Sequence, residues 1–134
     1  MSNSAVCRRS AILATALLLG FSGFAQILTF DFAGAAGNEA TYPSNFNDAL
    51  LSASSISRSS VMTPTVNADR FNSVMWTTSP ALDLNRYLEF TITPLPGKQF
   101  SISQVIFKYQ RSNRGPHKLV VRTSADGFTN DMGG

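Results

Sequence analysis

The sequence predicts an all-β fold, an antiparallel β-sandwich, from three observations. Short apolar runs with period-two alternation recur along the chain, no long helical periodicity appears, and the loops are rich in Ser, Thr, Asn, Gly and Pro. The stretch from Tyr87 to Thr123 organises the rest. It predicts three strands, Tyr87–Thr93, Phe100–Gln110 and Lys118–Thr123, separated by Pro94-Leu95-Pro96-Gly97 and Asn113-Arg114-Gly115-Pro116.

In the first of these runs Leu88, Phe90 and Ile92 share one face, and Glu89, Thr91 and Thr93 share the other. One face buried and one wet is the antiparallel pattern. In the second run Phe100 and Ile102 have one parity, while Val105, Phe107 and Tyr109 have the other. An extra residue near Ser103-Gln104 reconciles them, so a β-bulge is expected there, with Tyr109 buried beside Phe107. The third run points Leu119 and Val121 inward and Val120 and Arg122 outward.

Earlier in the chain, Ile27–Phe32 predicts a first strand with Leu28, Phe30 and Phe32 inward. The Gly34–Gly37 segment breaks it. Phe46 and Leu50, four apart, suggest a short helical turn capped by Ser44. Ser52–Ser60 alternates weakly around Ile56 and suits an edge strand, where polar residues discourage aggregation. Asp69–Trp76 is expected to be a further short strand, and Asp83–Arg86 a turn.

The first 25 residues have the pattern of a secretory signal peptide. Arg8 and Arg9 precede an apolar run from Ala11 to Phe24, and Gly23-Phe24-Ala25 is a small-x-small cleavage site. The run is short for a membrane-spanning helix, which needs about 20 residues. The expectation is a secreted or cell-surface protein, cleaved after Ala25, with no membrane association afterwards. Residues 26–134 then form one β-sandwich domain.

Removing the leader removes Arg8 and Arg9. Nine Lys and Arg then face eight acids, a net charge of +1, so no global field points to nucleic acid or an anionic membrane. The single cysteine, Cys7, lies in the leader. Neither a disulfide nor thiol chemistry is therefore expected in the mature domain. At the other end, Ser124-Ala125-Asp126-Gly127-Phe128 reads as a turn into another strand, yet six residues follow Phe128. The expectation is a fragment, incomplete at its C-terminus, whose unpaired edge promotes aggregation.

Several segments together resemble a domain of secreted bacterial proteins that often end in a sorting or anchoring tail. They are Leu28-Thr29-Phe30-Asp31-Phe32, Ala68-Asp69-Arg70-Phe71, Leu88-Glu89-Phe90-Thr91-Ile92-Thr93-Pro94, Tyr109-Gln110-Arg111-Ser112 and Arg122-Thr123-Ser124-Ala125-Asp126-Gly127-Phe128. The resemblance spans nearly all of the mature chain. It implies a jelly-roll-like sandwich, similar in architecture to carbohydrate-binding modules, and supplies no catalytic residues. This chain departs from the pattern in lacking the last strands and any tail.

Candidate sites follow from residue chemistry. Trp76, Tyr42 and Tyr87 are candidate ligand-binding residues, because sugar rings stack on aromatic faces with a polar handle; for Trp76 the competing place is the core. Asp126, Asn130 and Asp131 gather oxygen ligands beside Gly127 and form a candidate calcium site, although Asp-Gly is also ordinary turn chemistry. No other cofactor is expected. His117, the lone histidine, reads as a solvated residue, and no nucleophile-elbow motif supports a Ser-His-Asp triad. Glu39 and Glu89 lack a marked carboxylate partner for glycoside hydrolysis. Arg111, Arg114, Lys118 and Arg122 form a basic stretch suited to a solvated loop or an acidic glycan.

The expected function is therefore a non-catalytic secreted module that recognises glycans or a surface partner. A purely structural or adhesive module is the alternative, and a small glycoside hydrolase stands third.

Overall fold

The computed structural model describes residues 25–132. The expected leader, apart from Ala25, and Gly133–Gly134 lie outside the described residues. Among the described residues the fold is all-β, built of short strands in small antiparallel sheets with a single 3-10 turn, Ser124–Asp126. The strands are β1 (Leu28–Thr29), β2 (Tyr42–Pro43), β3 (Phe46–Asn47), β4 (Ser55–Arg58), β5 (Thr63–Pro64), β6 (Ser73–Val74) and β7 (Leu88–Phe90). Three sheets result, ordered β1-β3, β2-β4-β7 and β5-β6.

The β2-β4-β7 sheet carries the main apolar cluster, while the buried apolar residues, Ala35, Leu51 and Met62, lie outside its strands. Its register puts Tyr42 opposite Ile56 and Ile56 opposite Phe90, which aligns one apolar row across three strands. The first segment covers that row. Phe30 meets Phe90 edge-on at 5.4 Å, Phe32 meets Tyr42 edge-on at 5.2 Å, and Phe32 stacks on Phe71 at 5.8 Å. The alternation of Phe30 and Phe32 thus has the expected consequence, with both rings half-buried. On the other face, Ser57 lies opposite Glu89 and its hydroxyl donates to Glu89 Oε1 at 3.4 Å, so Glu89 faces water as expected; Leu88 and Phe90, expected inward, are themselves 39% and 42% exposed, because the cover over that face is thin.

Four expectations are corrected. Ser52–Ser60 is not an edge: β4 lies in the middle of its sheet. Its serines suit that position because backbone groups engage their hydroxyls. Ser54 Oγ donates to the Thr91 carbonyl at 2.7 Å, and the Tyr87 N–H donates to Ser59 Oγ at 3.4 Å. Second, Phe46 belongs to β3, not to a helical turn, and the Ser44 hydroxyl bonds the Ser54 carbonyl instead of capping.

Third, the bulge is not at Ser103-Gln104. It lies where β4 approaches β7: Leu51 pairs with Pro94 and Ile56 with Phe90, a step of five residues against a step of four. Fourth, Phe100–Gln110 and Lys118–Thr123 are not strands. Alternation specifies a face, whereas a strand also needs a neighbour to take its N–H and C=O groups. From Gln99 to Gln110, no backbone group is hydrogen-bonded to another backbone group among the described residues.

Turns form at or beside the expected positions. Asp83–Arg86, Leu95–Lys98, Ser112–Gly115 and Ser124–Gly127 each close through a backbone bond across three residues, the second and third one residue off the expected Pro94–Gly97 and Asn113–Pro116. After the last of these the chain folds back: Phe128 N–H bonds Thr123 O at 2.9 Å and Met132 N–H bonds Val121 O at 2.7 Å.

Candidate functional site

Tyr42, Tyr87 and Trp76 do not form one platform. Tyr42 sits in β2 with its ring committed to Phe32. Tyr87 is exposed and its backbone pairs with Ser59. Trp76 is half-buried just beyond β6. It follows Met75, whose left-handed backbone (φ 71°) turns its carbonyl to the Arg86 guanidinium. No close ring pair joins any two of these three residues among the described residues.

The aromatic pair open to water is elsewhere. Phe107 and Tyr109 have ring centroids 6.1 Å apart, tilted by 39°, and are 52% and 64% exposed. Residues two apart on extended backbone share a face, which puts the two rings side by side. Tyr109 is therefore not buried beside Phe107, as alternation suggests; both are exposed on a stretch, Gln99–Gln110, whose backbone pairs with no other among the described residues. The signal that could have found the pair was its spacing, but spacing alone does not separate an inner from an outer face.

The segment carrying the pair is anchored near both ends. Gln99–Ser103 borders a shallow depression of about 370 Å³ beside Ile27, Asp48 and Leu50. At the other end Arg70 Nη1 donates to Gln110 Oε1 at 2.8 Å. The segment therefore runs from the start of β1 toward the loop that precedes Phe71. Lys108 falls between them in sequence, on the opposite side of the backbone, and Arg111 lies two residues beyond Tyr109; both are exposed.

The carboxylates of Asp126 and Asp131 have protein partners, and Asn130 engages as a donor. Asp126 Oδ2 accepts from the Asn130 side-chain amide at 2.8 Å and from its backbone N–H at 3.0 Å, while Oδ1 accepts from the Thr129 N–H at 3.3 Å. These donors, led by the Asn130 amide, hold the Asp126 carboxyl below its ordinary pKa. Asp131 pairs with Arg122 at 2.8 Å. The sequence neighbours thus form a hydrogen-bonded turn. Among the described residues, no group of three or more His, Cys, Asp and Glu side chains is placed to hold a metal ion.

Arg58 is the most densely bonded side chain. It lies on the inner face of β4, with its guanidinium carbon 3.4 Å from the centroid of the Phe71 ring. Its nitrogens donate to Ser73 Oγ at 2.7 Å, to the Asn72 carbonyl at 2.8 Å, to the Gly37 carbonyl at 3.2 Å and to the Glu39 carbonyl. Burial lowers its pKa, and the Glu39 charge opposes that. All these acceptors are structural, so Arg58 ties the Gly37–Ala40 loop to β6.

No family model, no curated protein and no solved structure matches this chain. Among the described residues, no helix is long and apolar enough to cross a membrane.

Proposed function

We propose that this chain is a secreted or cell-surface, non-catalytic β-sandwich module, jelly-roll-like in arrangement, that binds glycans through the Phe107–Tyr109 pair. The observation that carries the reading is the exposure of two adjacent rings, one with a hydroxyl, on a segment free of backbone pairing. Aromatic faces offer a sugar's C–H groups an electron-rich surface, and the phenol adds a hydrogen bond. Affinity is weak, because two rings on an open surface bury little of a ligand. Export through the Met1–Ala25 leader is part of the proposal. Mass spectrometry of exported protein is expected to show a chain beginning at Gln26; retention of Met1–Ala25 would contradict it.

A glycan array with the full chain and the Phe107→Ala/Tyr109→Ala variant tests the binding. The expected result is retention by the parent and loss in the variant, with unchanged β-sheet circular dichroism because both rings are exposed. The second reading is a structural or adhesive module, favoured by Ile106, which stands 79% exposed next to Phe107. It predicts a blank array together with self-association or capture by another protein chain.

A further inference from the structure

The charges of the described chain are strongly segregated. From Phe90 to Ala125 there are six Lys and Arg and no Asp or Glu; from Ala25 to Glu89 there are three Arg and six acids. A net charge of +1 conceals a cationic third beside an anionic body. Within the cationic third, Arg122 is paired with Asp131. The head groups of Lys98, Lys108, Arg111, Arg114 and Lys118 have no hydrogen bond or ion pair among the described residues, and all five side chains are exposed. Arg111 follows Tyr109 at the same two-residue spacing that separates the two rings, which places it on their side of the backbone.

Cations without acid neighbours give a local potential that whole-chain neutrality does not cancel, because charges separated by more than about 10 Å are screened at ordinary ionic strength. Rings followed by such cations suit a polymer that presents apolar C–H faces and regularly spaced anions. From this, and resting on the glycan-binding reading above, we propose that the 98–118 segment binds acidic polysaccharide, with Arg111 and Arg114 meeting carboxylate or sulfate groups while Phe107 and Tyr109 stack on the sugar rings and Lys108 adds to the positive field from the other side of the backbone. Guanidinium groups engage carboxylate and sulfate oxygens in bidentate fashion, which favours arginine at both contact positions.

Affinity electrophoresis of the full chain separates the alternatives, using polygalacturonate, dextran sulfate, neutral dextran and duplex DNA as probes. Retardation by polygalacturonate or dextran sulfate is expected, with affinity falling roughly tenfold or more between about 0.05 M and about 0.5 M NaCl. Binding to polygalacturonate alone would identify carboxylate, and to dextran sulfate alone sulfate, as the recognised group; either supports the proposal. The Lys108→Glu/Arg111→Glu/Arg114→Glu variant is expected to lose that binding, and Lys98→Glu/Lys118→Glu to weaken it. These head groups bond nothing in the fold, so both variants should keep the parent circular dichroism. Equal binding to neutral dextran, unaffected by charge reversal, would overturn the acidic preference while leaving the aromatic reading intact. Absence of binding to every polysaccharide would overturn both, and tighter binding to DNA would overturn the assignment to polysaccharide.

Discussion

Gly37 shows how a single atom constrains this chain. Its φ is +97°, and a Cβ placed there would lie 2.2 Å from the backbone oxygen of Asn67. The close approach exists because the Gly34–Gly37 and Asn67–Asn72 segments are laced together by Asn67 N–H to Ala36 O, Asp69 N–H to Ala35 O and Asn72 N–H to Gly37 O, each at 2.9 Å. Gly34 also has a positive φ, +81°, but open space where its Cβ would go. Gly34→Ala should therefore cost about 1 kcal/mol, the conformational penalty alone. Gly37→Ala should cost more than about 2 kcal/mol, since backbone must also move. Urea melts of the two variants check this, and equal costs would show that the loop yields freely.

At the same scale, Glu39 folds back on the loop: its carboxylate accepts from the Ala36 N–H at 2.6 Å and the Gly37 N–H at 3.0 Å. Its own backbone N–H, and then those two, hold its pKa below the ordinary 4.5. Asp83, through the Asn85 N–H and then Arg86, and Asp126, through the Asn130 amide, are likewise held below 3.8. A folded-state pKa below the unfolded one contributes stability that is present above the unfolded value and is lost as pH falls through the folded value. Melting temperature should therefore decline as pH drops below about 4.5, the ordinary value for Glu39, and Glu39→Gln should make that decline shallower. A parent melting temperature constant down to pH 3 would contradict the prediction.

Among the elements, the β4–β7 pairing carries the sheet. It extends beyond the named strands through Ser59 N–H to Tyr87 O, Ser52 N–H to Thr93 O and Leu95 N–H to Leu50 O. The bulge within it is sealed by Ser54, a buried residue whose hydroxyl takes the Thr91 carbonyl. The β1–β3 pair is less well satisfied, as Thr29 Oγ1 and Asn47 Oδ1 are buried without a partner. Removing a bonded buried hydroxyl leaves its acceptor unsatisfied and costs about 1–3 kcal/mol, whereas replacing an unbonded one by a methyl is neutral or favourable. Ser54→Ala should thus lower stability, and Thr29→Val should leave it unchanged or raise it. Chemical denaturation of both variants measures the contrast, and the opposite order would refute it.

Over the described residues, apolar side chains are exposed within paired strands, as at Phe46 and Phe90, and in a run along the unpaired 99–110 segment. Val105, Ile106, Phe107 and Tyr109 are all exposed, and Ile106 is the most exposed of them. Contiguous apolar surface of this kind drives association. Ile106→Lys should reduce concentration-dependent association in sedimentation velocity. It should also change stability by less than about 0.5 kcal/mol, the usual range for a surface position. A marked fall in melting temperature would mean that Ile106 supports the fold.

The sequence by itself determined what depends on neighbours along the chain. Turn chemistry acts within four residues, and the turns at Asp83–Arg86, Leu95–Lys98, Ser112–Gly115 and Ser124–Gly127 form within one residue of where that chemistry predicts them. Alternation likewise assigned Phe30 and Phe32 to the interior and Glu89 to water, because side-chain direction in extended backbone is a local property. Only the tertiary structure decided partnership. Ser55–Arg58 became a central strand because Tyr42–Pro43 and Leu88–Phe90 meet it from both sides, and Phe100–Gln110, with the stronger apolar alternation, remained unpaired. The exposed Phe107–Tyr109 pair was hidden for the same reason. Its spacing is written in the chain, but whether a ring faces core or water depends on which distant segment covers it, and no local pattern encodes that.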